Sequence, residues 1–218
     1  VTMTSPVERA STGSGGRVAY RTVPGAARKR RLTIADLTPE EFEQLGICLH
    51  EAGHSVAGVI YGGYLRGARV DLGTLNGAAN FDGLDPARHP VVAYAGPWAA
   101  ARWAVGGRRQ PTQAEIWRVL ESGGCKDYKA LTAAGTTAAD IDPAALALLD
   151  RCWPAVVEVA RQLHRSGNAI HGDVTRALGV PLTNNAHHLS LIRSGYAPGS
   201  FTVSGPGQHG SSEGAEGR

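Results

Sequence analysis

Cysteine is scarce in this 218-residue chain, and Cys48, Cys125 and Cys152 form an odd number with no CxxC spacing. That usage excludes a disulfide framework and fits a reducing, cytoplasmic compartment. Long apolar runs are absent too. None approaches the roughly 20 residues needed to cross a bilayer, and the polar start VTMTSPVERASTGSGG lacks the apolar core of a signal peptide, so no membrane association is expected. Phenylalanine occurs only three times, which leaves much of the burial to Trp98, Trp103, Trp117 and Trp153. Nor does one sign of charge dominate. The balance of 22 basic against 19 acidic residues gives +3, with much of the excess in Arg28, Lys29, Arg30 and Arg31. Four such residues beside a polar arm read as a solvated flank, and no helix-turn-helix, zinc-finger or stacking-platform pattern points to a nucleic-acid partner.

Glycine and proline are plentiful, at 29 and 12, and concentrate at the ends. Residues 1–33 lack sustained apolar periodicity and read as a disordered basic arm; from 183 the composition shifts to a flexible Gly/Ser-rich tail, 183–218. The folded unit is therefore expected over 34–182. Within it, TPEE supplies an N-cap at Thr38, a proline at the first helical position and a capping-box Glu41. Phe42, Leu45, Leu49, Ala52, Gly53, Val56 and Ile60 then recur at helical spacing until Gly62-Gly63 stops the run. ARVDL (68–72) and GAANF (77–81) flank the turn-like GTLN as a short hairpin or two sheet edges. Further helices are expected over 90–105, with a possible kink at Pro97, over 112–122, from Cys125 towards Gly135, as one long helix through DPAALALLDRCWPAVVEVARQLHRSG, and over HGDVTRALG. The fold class is mainly α (α+β), a helical domain with a small β-hairpin or edge-strand element.

The chemistry lies in the first helix, LGICLHEAGHSVAGVIYGG. Four residues advance a helix by about 400°, so His50 and His54 share one face about 40° apart, one turn above the other. Two neutral imidazoles so placed can bind one zinc ion, which in a hydrolytic site takes a third protein ligand and a water. Glu51, beside the first histidine, is then the base for that water. Gly46, Gly53, Ala57 and Gly58 leave room for another segment or a substrate to approach the histidines. A metzincin continuation, HExxHxxGxxH, is excluded because Ala57 and Ile60 occupy the glycine and third-histidine positions. The third ligand must come from elsewhere, with Asp71, Glu115, Glu121, Asp127, Glu158 and Asp173 as candidates and Cys125 as a soft rival. The remaining histidines, His89, His164, His171, His187, His188 and His209, read as dispersed and solvated.

The motif His50-Glu51-Ala52-Gly53-His54-Ser55 resembles the HEAGHA of the FtsH-type zinc peptidase domain. ARVDL is similar to that family's cleft-lining strand, YAGPWAAARWAVGG looks like its GGRxAEE helix, and ESGGCKDYKAL resembles the segment that carries its third zinc ligand, an aspartate. The resemblance covers about residues 40–180 and implies a helical zincin-like peptidase domain with His50, His54 and Asp127 holding Zn2+ and Glu51 as catalytic base. Ala100-Ala101 replaces the family's acidic pair, and Cys125-Lys126 replaces the small and amide residues before the aspartate. The family's AAA+ ATPase has no counterpart here, since no GxxxxGK[ST] segment occurs in these residues.

These readings lead to a zinc-dependent, ATP-independent metallopeptidase that cleaves peptides or unfolded protein, with the backbone of an edge strand at 68–72 pairing with the extended substrate. A separate unfolding partner or a homo-oligomer is compatible with it. The alternatives are a zinc enzyme acting on a small molecule and a binding module that keeps the fold without catalysis.

Overall fold

The computed structural model describes residues 34–181 and 185–200, so the basic arm at 1–33, with the Arg28–Arg31 run, and the end of the tail lie outside the described residues. The described chain is mainly helical, with a small three-stranded antiparallel sheet. Among the described residues no helix is long and apolar enough to cross a membrane.

Helix α1 (Pro39–Ile60) is the centre of the fold. Its start is fixed by a reciprocal capping box: the Glu41 amide donates to Thr38 Oγ1 at 3.1 Å, and the Thr38 amide donates to Glu41 Oε2 at 2.8 Å. Its end is Gly62, whose φ of +91° is costly for any residue with a Cβ. Cys48, Leu49, Ala52, Val56, Val59 and Ile60 are buried. Gly53 and Gly58 of α1 admit neighbouring segments, while Gly46 lines the open cleft. A Cβ at Gly53 would lie 2.4 Å from the Ala95 carbonyl oxygen of α2 (His89–Ala104), and one at Gly58 would lie 2.3 Å from the Phe81 ring. Helix α2 runs through Pro97 as one element and contributes Tyr94, Ala95 and Trp98 to the core.

The sheet has the order β2-β1-β3, with β1 (Tyr64–Asp71) and β2 (Asn76–Asp82) forming the expected hairpin and β3 (Asn168–Ala169) pairing with β1 on its other side. In the turn, Asp71 Oδ1 accepts from the amides of Gly73 at 2.9 Å and Thr74 at 3.3 Å, and Leu75 adopts a φ of 52°. Two expectations change. β1 starts at Tyr64, ahead of 68, because Leu65 is buried despite its glycine-rich surroundings. It is also the central strand and not an edge: Ala68 and Arg69 pair with Ala169 and Asn168, and the Val70 amide donates to the Gly167 carbonyl at 2.9 Å. Among the described residues the outer edges of β2 and of the two-residue β3 have no strand partner, and that of β2 is the longer.

Helices α3 (Gln113–Ser122) and α4 (Cys125–Ala133) follow, separated by Gly123-Gly124. The long helix expected from Pro143 onward is two: α5 (Pro143–Arg151) and α6 (Trp153–Ser166), with Cys152 closing one and opening the other. Pro154 has no amide hydrogen to continue the α5 ladder and disfavours helical backbone in the preceding residue, so it serves as a start residue instead. After β3 comes α7 (His171–Ala177). His171, expected in solvent, accepts from the Leu65 amide at 3.3 Å and stacks on Tyr64. The flexible tail expected from 183 contains a further helix, α8 (Asn185–Arg193), whose Leu189 and Ile192 are buried and whose Arg193 donates to the Ile60 carbonyl at the end of α1.

Candidate metal centre

Two elements bring the polar groups together. His50 and His54 project from the same face of α1, as their spacing requires, and α4 delivers Asp127 from its first turn. His50 Nε2 lies 3.0 Å from Asp127 Oδ2, His54 Nε2 lies 3.3 Å from Asp127 Oδ1, and the two Nε2 atoms are 3.0 Å apart. Each of the three side chains is largely withdrawn from solvent, His54 at 12% and Asp127 at 15% exposure. Among the described residues this is the group of His, Cys, Asp and Glu that could hold a metal ion.

The donor set itself calls for a cation. His54 Nδ1 lies 2.7 Å from the Val92 carbonyl oxygen, which can only accept, so Nδ1 carries the hydrogen. In the neutral ring, Nε2 then presents a lone pair towards a second imidazole nitrogen and a carboxylate. Three electron-rich atoms in such proximity need a proton or a metal between them. A tetrahedral ion with bonds of about 2.0–2.1 Å would hold its ligand atoms about 3.3 Å apart, close to the spacing found. The Val92 carbonyl occupies the place of the partner that would orient a metal-ligating histidine through its other nitrogen.

The electrostatics agree. Burial works against a charged His54, but the hydrogen bond and charge of Asp127 overcome it and push its pKa up to about 9. Burial likewise opposes ionised Asp127, yet hydrogen bonds from His50 and His54 hold it well below the usual carboxylate range. Glu51 differs. It is 4% exposed, burial pushes its pKa up against the opposing pull of the two histidines, and its Oε2 has no hydrogen-bond partner. A buried, unpartnered carboxylate oxygen beside a group that could hold a metal is available to accept a proton.

The other third-ligand candidates are elsewhere. Asp71 binds the hairpin turn, Glu115 serves as the α3 capping box and pairs with Arg109, Glu158 pairs with Arg161, and Asp173 binds the Ile170 amide and Arg176. Glu121 is exposed on α3. Cys125 lines the same cleft but is not in the ligand group; Cys48 and Cys152 are buried, which pushes their thiols up to about 11 and about 12.

The triad and Glu51 lie in an open cleft of about 930 Å³, walled on one side by residues 75–79 and Phe81 of the hairpin. Two glycines fit the site closely. A Cβ at Gly96 would lie 2.3 Å from His54 Nε2, and one at Gly77 would lie 2.4 Å from Glu51 Cγ. Sequence reasoning passed over both, although a glycine inside the helical run YAGPW, costing about 1 kcal/mol against alanine, was a signal of close packing. Nothing in a sequence marks the Val92 carbonyl. Comparison of the chain with family models, curated proteins and solved structures gives no match.

Proposed function

We propose that this chain is a zinc-dependent, ATP-independent metallopeptidase of the FtsH type, with His50, His54 and Asp127 as ligands and Glu51 as base. The observation that carries the reading is the unpartnered Glu51 Oε2, buried beside a triad whose three ligand atoms converge within metal-binding distance. Zinc bound there would supply Lewis acidity, polarising a scissile carbonyl and making water acidic enough to yield a proton near neutral pH.

The chain's own groups do the rest. Glu51 accepts the proton of the attacking water on its carboxylate and delivers it to the departing amine nitrogen. Its raised pKa suits both halves of that transfer, because a carboxylate that ionises too readily would not return the proton. Asp127 balances charge, and the Val92 carbonyl keeps the His54 ring turned with Nε2 inward. The free edge of β2 offers backbone donors and acceptors along the cleft, so an extended peptide can add there as a further strand. This replaces the edge expected at 68–72, and the choice of a peptide over a small molecule rests on it.

The test compares the native chain with Glu51→Gln for zinc content and hydrolysis of unfolded casein. The variant is expected to keep stoichiometric zinc and lose at least a hundredfold in rate. Hydrolysis at the native rate by Glu51→Gln, or a native chain that takes up no zinc, would overturn the proposal.

A further inference from the structure

The cleft contains a charge that neither the triad nor the base explains. Lys126 lines it, immediately before Asp127 in the first turn of α4, and its side chain is exposed. Its charge reaches Glu51, on which it acts to favour the ionised form. Yet among the described residues Lys126 has neither an ion pair nor a hydrogen-bond partner: Asp127 spends both oxygens on His50 and His54, and Glu51 is within salt-bridge distance of no cation. The other charged groups lining the cleft are Glu43, Glu51, Asp127 and three histidines, so Lys126 is the one permanent cation there.

Resting on the hydrolase reading above, we infer that Lys126 is a specificity-determining residue that receives a carboxylate of the substrate. Zinc with neutral His50 and His54 and the anions Glu51 and Asp127 forms a group of zero net charge, so the triad and base do not neutralise Lys126. Glu43, the remaining carboxylate of the cleft, forms no ion pair with Lys126, so a substrate carboxylate meets an unpaired ammonium, whereas a basic side chain in the same place meets like charge. The carboxylate can come from an Asp or Glu side chain or from the C-terminus of a short peptide. The two sources share one chemistry and differ in what amidation of the peptide does.

The experiment measures binding of fluorescein-labelled dodecapeptides to zinc-loaded native protein by stopped-flow anisotropy before hydrolysis proceeds, so that Glu51 keeps its charge and binding is read apart from turnover. The peptides carry Asp, Asn or Lys at successive positions, each with a free or an amidated C-terminus. An exposed pair of this kind predicts binding roughly three- to fivefold tighter for the carboxylate-bearing peptide than for its neutral counterpart, diminishing as salt is raised. Lys126→Arg is expected to retain the preference, Lys126→Ala to reduce the ratio to about one, and Lys126→Glu to reverse it in favour of Lys-bearing peptides. Loss of preference on amidation assigns the C-terminal carboxylate; its persistence assigns the side chain. A preference that is absent, or that survives Lys126→Glu, overturns the inference. Binding with this charge pattern in a protein that cleaves nothing would overturn the proposed peptidase and leave the carboxylate site standing.

Discussion

Gly96 lies against the ring of His54, with no room for even one carbon between helix α2 and the imidazole: a Cβ there would be 2.3 Å from Nε2 and 2.5 Å from Cε1. The atoms it would strike are the ligand edge of the ring, opposite the Nδ1 held by Val92. Gly96→Ala must therefore displace either the ring or α2. The ring is expected to yield, because α2 is anchored by buried Tyr94, Ala95 and Trp98. Zinc affinity should fall by about tenfold to a hundredfold. Isothermal titration with zinc checks this, and unchanged far-ultraviolet circular dichroism excludes general unfolding.

Gly77 stands in the same relation to Glu51, and the expected consequence is different. A Cβ at 77 would lie 2.5 Å from Oε1 and 2.7 Å from Cδ, so Gly77→Ala moves the proposed proton acceptor while His50, His54 and Asp127 keep their places. Zinc content should remain stoichiometric while the rate of peptide hydrolysis falls by about a hundredfold, the scale of a displaced general base. Measuring both on one preparation separates this variant from Gly96→Ala, which loses metal first.

Much of this was legible in the sequence where one local rule decided the outcome. The Thr38–Glu41 capping box, the helical spacing of His50 and His54 and the Gly62 stop are all contained within a few residues, and α1 forms as they require. What the residues alone left open was long-range. Six acidic candidates stood for the third ligand, and only packing of α4 against α2 and α3 separates Asp127 from the capping and ion-pairing carboxylates; resemblance, not spacing, favoured it beforehand. β3 is two residues long, too short for any periodicity, yet it turns β1 from an edge into a centre and leaves β2 as the long free edge. Helix α8 carries only the pair Leu189 and Ile192 as buried apolar residues, a signal lost among Asn, Ser and Gly until the end of α1 covers it.

Arg102 predicts a stability effect away from the metal. The guanidinium is 7% exposed, lies 4.6 Å from the Trp153 ring centre and 5.2 Å from that of Trp98, and pairs with Asp150. It thereby joins α2 to both α5 and the first residue of α6 across the break at Cys152. Arg102→Ala removes the packing and the cation–π contacts together and should cost about 2 kcal/mol in urea denaturation. Asp150→Asn should cost less, since Asp150 keeps 40% exposure and its loss leaves Arg102 its two indole faces. A larger loss for Asp150→Asn would mean that charge, not the contacts with the two indoles, holds the joint.

Glu115 supplies a pH dependence independent of the metal ligands. Its carboxylate accepts two hydrogen bonds from Arg109 and closes the α3 capping box on Thr112. The Arg109 bonds, followed by the Thr112 amide, pull its pKa from 4.5 to about 2. A depressed folded pKa means that the unfolded chain takes up the proton first. The stabilisation is therefore complete above about pH 4.5 and disappears as pH falls through about 2. Glu115→Gln cannot ionise, so it should melt below the native chain at neutral pH, and the gap should close between those two values. Thermal melts of chelator-treated protein at half-unit steps from pH 5 to pH 2, so that release of any bound metal does not mask the effect, measure that gap. A gap that stays constant across the range would show that Glu115 acts through its shape and hydrogen bonds and not through its charge.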